Sequence, residues 1–290
     1  MKKNTYPFYF AVGALGLYLL LFVIPGIMGI LYSFTDWSSY SREINYVGLE
    51  NFKTVFSPDE HFMSYILNTL RFTGVTVVVK TLLGLAFALL LCEGIKGKDF
   101  HRAVIFMPAI LSVLITGLIF KSILNPEYGL LNEFLRLIGL GALEQQWLTD
   151  VRIALYSIMA VDTWKGMGYI MTILLAGLQS IPRSYYEASD IDGANYWGKL
   201  RYVTLPMLMP SITVTTVLNL LHGLKVFDIV YVLTNGGPGY VTEVLYTSVF
   251  KEFSLGKYGL GTAVSSVLFI FMIVIGYFVI RLMSREEVDA

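Results

Sequence analysis

Charge is scarce in this sequence. Only 14% of its 290 residues are Asp, Glu, Lys or Arg, and 56% are hydrophobic; a soluble globular chain carries about a quarter charged residues. The mean hydropathy, +0.65, points the same way, and together these values exclude an ordinary soluble domain. The charges that exist cancel, 21 basic against 21 acidic, so the chain lacks the basic excess of a nucleic-acid binder. The single cysteine, Cys92, cannot close an intrachain disulfide and reads as a lipid-facing or packed residue. No Gly-x-x-x-x-Gly-Lys-Ser/Thr occurs, which excludes a P-loop. Asn235-Gly236-Gly237-Pro238-Gly239 is glycine-rich but lacks the lysine, so it reads as a turn. No His/Cys group has metal-ligand spacing, and no Ser/His/Asp set stands out as a nucleophilic site. The expected chain is not an enzyme and holds no metal or cofactor of its own.

Long apolar runs are abundant. A helix needs about 20 mostly apolar residues to cross a bilayer core of roughly 30 Å. Six stretches qualify: 8–34, 65–92, 104–124, 153–178, 210–233 and 260–283. The predicted fold is all-α, a single membrane domain over 1–290 with a core at 65–283. Lys2 and Lys3 precede the first run, but that run is too long for a secretion signal and lacks a small-residue cleavage site, so it reads as a retained helix. With both termini cytoplasmic, ten Lys and Arg residues fall inside and six outside, as the positive-inside rule requires. Arg71, Lys80 and Lys121 read as side chains that snorkel to the interfaces.

The inside connections are short except for 180–208, between the fourth and fifth spans. Here Ser184 and Glu187 have the spacing of a capping box, Asp192-Gly193 supplies a turn, and Leu205-Pro206 ends a second short helix. Two helices joined by a turn are expected. Gly193 permits a positive φ or a close backbone approach. Glu187 and Asp192 offer charge to basic groups on a partner. Tyr185, Tyr186, Tyr196, Trp197, Leu200 and Tyr202 give the loop more apolar surface than a connector needs. Such a patch marks either a partner site or an aromatic belt at the lipid headgroups.

Ionisable side chains at membrane depth are costly and point to function. Asp162 and Lys165 lie three apart in the fourth span, and Lys225 and Asp228 three apart in the fifth. On a helix, residues three apart share a face. They define either a hydrophilic cavity that binds hydroxyls or a set of pairs, within the chain or with a sister subunit, that only hold helices together. Trp164 and Tyr169 offer rings for stacking on the apolar face of a sugar, and His222 reads as a packed histidine.

Glu187-Ala188-Ser189 with Asp192-Gly193-Ala194, followed by Thr204-Leu205-Pro206 and Pro210, resembles the cytoplasmic loop of binding-protein-dependent ABC importer permeases. Ser189 stands where Ala is commoner, and Leu200 where Phe is usual. Gly48-Leu49-Glu50-Asn51-Phe52, Phe106-Met107-Pro108, Ala176 to Pro182, and Leu233 to Pro238 with Thr242 resemble further stretches of the carbohydrate-type members, in order. The resemblance implies a permease subunit of the bacterial cytoplasmic membrane that moves a sugar by alternating access. It also implies a second permease, two ATPase subunits that bind ATP and Mg, and an extracytoplasmic solute-binding protein docking on 35–64, 125–152 and 234–260. Glu187, Ala188, Asp192, Gly193, Ala194, Leu205 and Pro206 would meet the ATPase. Asp162, Trp164, Lys165, Tyr169, Gly223 and Lys225 match sugar-lining positions of the maltose-type members, and the charge pairing adds Asp228. Balanced charge suits a neutral polyol; Lys165 and Lys225 also suit a carboxylate. The alternative from another class is a secondary transporter driven by an ion gradient.

Overall fold

The computed structural model describes residues 9–57, 61–93 and 95–288; the side chains of 10 and 283–288 lie outside that description, as do Lys2 and Lys3. The described residues are helical, with one isolated antiparallel bridge between Thr35 and Tyr46. The helix α1 runs from Tyr9–Tyr18 through a π turn at Leu19–Val23 to Ile24–Tyr32. After it come α2 (Glu50–Phe56), α3 (Phe62–Cys92), α4 (Lys98–Ile110), α5 (Val113–Ile123) and α6 (Leu130–Leu137). Next are α7 (Ala154–Ser180), α8 (Arg183–Ile191) and the long α9 (Tyr196–Leu224). The chain ends with α10 (Asp228–Leu233), α11 (Leu245–Ser254) and α12 (Tyr258–Val288).

Four helices are long and apolar enough to cross a membrane among the described residues, or five if α4 and α5 count as one crossing. The expected span at 153–178 is present as α7, and its 27 residues reach about 40 Å at 1.5 Å per residue. Asp162 and Lys165 keep it below the apolarity of the others. The expected unbroken span at 104–124 is instead bent by 96°. Leu111 and Ser112 are extended, with ψ of 142° and 140°, and divide α4 from α5. The expected span at 210–233 is also wrong in its limits. Its helix starts at Tyr196, stops at Leu224, and α10 begins afresh at Asp228. Lys225 and Asp228 therefore do not share a helical face.

Leu205-Pro206 does not end a helix. A proline removes one helical donor and crowds the carbonyl four residues back. A π turn at Leu200–Thr204 absorbs this: the Leu205 N–H donates to the Leu200 carbonyl, and the helix passes through Pro206. The same device precedes Pro25, where the Ile24 N–H donates to the Leu19 carbonyl.

The helices form two compact units. One comprises Met1–Met63 with Ser248–Phe269. Within it, Trp37 packs on Tyr32 and Tyr258, with ring centroids 4.5 and 4.8 Å apart. Asn51 donates to the carbonyls of Ser33 and Thr35. Asp36 accepts from the backbone and side-chain amides of Asn45 at 2.7 and 3.0 Å.

The other unit comprises Ser64–Thr247 with Ile270–Ala290. Its axis is α7, which packs along α4 and α9. One half of α7 buries Leu155, Ile158 and Met159 among Phe72, Val226, Val230 and Val244. The other half buries Ile170, Met171 and Leu174 among Ala88, Leu178 and Leu208. Lipid is as apolar as leucine, so close packing at small residues drives such contacts rather than burial. A Cβ on Gly84 would sit 2.9 Å from Ile170 Cγ2, so α3 meets α7 almost backbone to side chain.

Candidate functional site

The charged residues of α7 and α9 meet in a cavity of 660 Å³ inside the second unit. Helical periodicity places Asp162, Lys165, Gly166 and Tyr169 on one face of α7, and all four line it. From the far side come Asn219 and His222 of α9, then Lys225 and Asp228 around the unwound 225–227. Ala109 and Ile110 close it at the end of α4.

Asp162 is the hub. Its side chain is 6% exposed, and its Oδ2 lies 2.6 Å from Lys80 Nζ on α3, itself 3% exposed. Its Oδ1 lies 3.0 Å from His222 Nε2. One carboxylate thus joins α3, α7 and α9. Gly166 makes room for the arrangement: a Cβ there would sit 2.8 Å from Lys80 Cε.

These contacts correct three sequence readings. Lys80 does not snorkel to an interface, because a buried carboxylate holds it. Asp162 does not pair with Lys165, whose ammonium donates instead to the Ala109 carbonyl at 3.3 Å. His222 is not a packed histidine: its side chain is 53% exposed in the cavity while bonded to Asp162. Lys80 was the readable signal, since it interrupts the apolar run at 65–92. Nothing in the sequence marked its partner on another helix.

Five of the seven expected substrate residues line the cavity, namely Asp162, Lys165, Tyr169, Lys225 and Asp228. Trp164 points elsewhere, and packs edge-to-face on Phe120 with ring centroids 5.0 Å apart. It lies two residues from Asp162, on the opposite side of the helix. Gly223 is a crossing point, where a Cβ would sit 2.9 Å from Thr73 Cα.

The two helical arms that wall the cavity continue into the loop. After α7, Ile181 and Pro182 turn the chain into α8. Ser184 makes no capping bond there, against the sequence expectation. Gly193, at φ +72°, reverses the chain, and the Asn195 side chain caps α9 by accepting from Gly198 N–H. Tyr186 and Thr204 share a hydroxyl hydrogen bond at 3.2 Å, and Lys199 pairs with Asp190. Glu187, Ala188, Asp192 and Gly193 are exposed, while Ala194, Leu205 and Pro206 are half-buried. Ile191, Trp197 and Tyr202 are 88%, 72% and 76% exposed, apolar side chains left uncovered among the described residues.

A family model described as "Binding-protein-dependent transport system inner membrane component" matches residues 80–286. The chain belongs to this family. It is 36% identical over 260 residues to the trehalose/maltose transport system permease protein MalF of Thermococcus litoralis, covering 88% of this chain and 85% of that one. It is also 36% identical over 280 residues to the multiple sugar-binding transport system permease protein MsmF of Streptococcus mutans, covering 96% and 95%. Among solved structures, a bacterial ABC transporter involved in import of the acidic polysaccharide alginate superposes with a TM-score of 0.83. It is 24% identical, with 96% of this chain and 94% of that one covered, and shows a shared fold. This permease is therefore a multi-pass transport component of the inner membrane and not an enzyme.

Proposed function

We propose that this permease carries a sugar or sugar derivative across the cytoplasmic membrane in six passes, as half of a pathway completed by a second permease. Four long apolar helices, the bent α4–α5 pair and α7 supply the six. An even count puts both termini on one side, the same side as α8, and the Lys/Arg bias makes that side the cytoplasm. Two copies of a separate ATPase dock beneath, and a solute-binding protein delivers substrate from outside. A related fold has been crystallised with an alginate pentasaccharide-bound periplasmic protein. The 11–32 stretch of α1, none of it buried within this chain, offers surface to lipid or to the second permease.

The observation that carries the reading is mechanical. Both ends of the α8 turn run as helix into the cavity walls, α7 to Tyr169 and Asp162 and α9 to His222. From Tyr202 to His222 the helix is about 30 Å long at 1.5 Å per residue. Tyr186–Thr204 and Asp190–Lys199 clamp α8 to the start of α9. A push on Ile191, Trp197 and Tyr202 is then transmitted as a tilt of the cavity walls and not absorbed by a slack linker. Glu187, Ala188, Asp192, Gly193 and Ala194 would form the contacted face, with Leu205 and Pro206 at its base.

In the cavity, Lys165, Lys225 and Asp228 offer charge to hydroxyl or carboxylate groups, and Tyr169 a ring face. ATP and Mg would be held by the ATPase, none by this chain. Family membership favours ATP over the ion-gradient alternative. The test is uptake in vesicles reconstituted with the second permease, the ATPase and the binding protein. Sugar entry that requires internal ATP and survives an ionophore is expected; entry that stops when the ion gradient alone is collapsed would overturn the proposal.

A further inference from the structure

His222 differs from the other polar groups of the cavity wall in having one ring edge fixed and the other free. The Asp162 carboxylate, held against Lys80, only accepts hydrogen bonds. The nitrogen it meets, Nε2 at 3.0 Å, must therefore carry the proton. In the neutral ring, the lone pair is then left on Nδ1. The side chain is 53% exposed and lines the cavity, so this acceptor is available to whatever enters. The buried ion pair behind it, with side chains 3% and 6% exposed, keeps the ring in place.

Asn219, one turn earlier on α9, also lines the cavity but is 5% exposed. Its amide Nδ2 is buried and meets no acceptor among the described residues, so the cavity does not present it to a ligand. His222 is the group on this face of α9 that combines exposure with a fixed orientation.

We infer that His222 is a specificity-determining residue that accepts a hydrogen bond from a saccharide hydroxyl at Nδ1. Asp162 and Lys80 are then positioning residues that set the ring and do not touch the substrate. The assignment rests on the cavity being a saccharide path. It moves hydroxyl reading from the buried carboxylate to the ring in front of it.

The experiment uses the complete reconstituted importer. A panel of neutral disaccharides and uronate disaccharides first identifies a transported sugar, and uptake of its monodeoxy analogues is then measured. In the wild type, removing one hydroxyl is expected to raise the uptake KM about tenfold, the size of one hydrogen bond. In His222→Phe the KM for the parent sugar rises by about the same factor, and that analogue loses its penalty. His222→Gln, which restores both a donor and an acceptor, recovers part of the discrimination. Asp162→Asn blurs it, and Asp162→Glu restores it. A histidine that merely held helices together would leave the same deoxy penalty in His222→Phe, and that result overturns the inference. A wild type that discriminates against no monodeoxy analogue also overturns it, without any variant having to fold. Transport of no saccharide at all would instead remove the proposed function on which the inference rests.

Discussion

Lys80 Nζ and Asp162 Oδ2 lie 2.6 Å apart with their side chains almost fully buried, so an ion pair beside the cavity joins two different helices. A buried pair is costly to break on one side only, because the surviving charge is left without a partner.

Lys80→Met is therefore expected to destabilise the assembled permease by about 3 kcal/mol. The double variant Lys80→Met/Asp162→Leu should recover most of that loss, because the orphaned charge is gone, while substrate uptake stays impaired. Thermal denaturation of the detergent-solubilised complex, followed by size-exclusion chromatography, reads the first quantity, and vesicle uptake the second. Equal instability of the single and double variants would show that the pair matters for packing alone.

Gly223 is expected to act through assembly and not through substrate affinity. A valine there would drive its side chain into Thr73, where even a Cβ approaches Cα to 2.9 Å. Overpacking of this kind costs about 1–3 kcal/mol. Less permease should reach the membrane, and the fraction that does should keep its uptake KM. A raised KM at normal abundance would place Gly223 on the substrate path after all.

At the loop, the combination Glu187→Ala with Gly193→Pro should leave the chain inserted and separate ATP hydrolysis from uptake. Gly193 sits at φ +72°, and proline is fixed near −65°, so the reversal between α8 and α9 cannot form. Hydrolysis that continues with uptake largely lost is expected; unchanged uptake in the reconstituted system would discard the coupling role.

The loop at Asp36 should loosen in acid. The backbone amide of Asn45, and then its side chain, hold the Asp36 carboxyl below its ordinary value. A carboxylate whose folded pKa is lowered contributes stability above its unfolded pKa, and that contribution is lost as pH falls through the folded value. The protection factor of the Asn45 amide, taken against the intrinsic exchange rate at each pH, is expected to be higher at neutral pH than in acid below the ordinary carboxyl value of 3.8. Asn45→Ala should flatten that difference, and a profile unchanged by the substitution would assign the protection to another contact.

The long helices were legible because lipid demands an apolar run, and α1 and α12 are such runs. Their interruptions were not. The α4–α5 bend follows from two extended residues, Leu111 and Ser112, of ordinary composition. The π turn that carries α9 through Pro206 has no signature beyond the proline itself, which by local rules argues for a stop. The charged residues were flagged correctly as unusual, but their partners were assigned by spacing along one helix. Spacing is informative only when the helix is continuous and the nearest opposite charge is on it. Lys225 and Asp228 fail the first condition, because the chain unwinds at 225–227. Asp162 fails the second, since α3 and α9 bring Lys80 and His222 closer than its own helix brings Lys165.

The π turn at Leu200–Thr204 has a consequence for how this chain tolerates change. It adds one residue to a helix of 3.6 residues per turn, so it rotates everything beyond it by about 100°. The exposed face at Trp197 and the cavity face at Asn219 and His222 are thus clocked against each other by a single inserted residue. Deleting it would leave the loop and the cavity lining each intact in composition, but the wall would turn a quarter away from the lumen. Loop and cavity are consequently inherited as one phased piece, and a chimera joined anywhere between them must conserve the residue count along with the sequence.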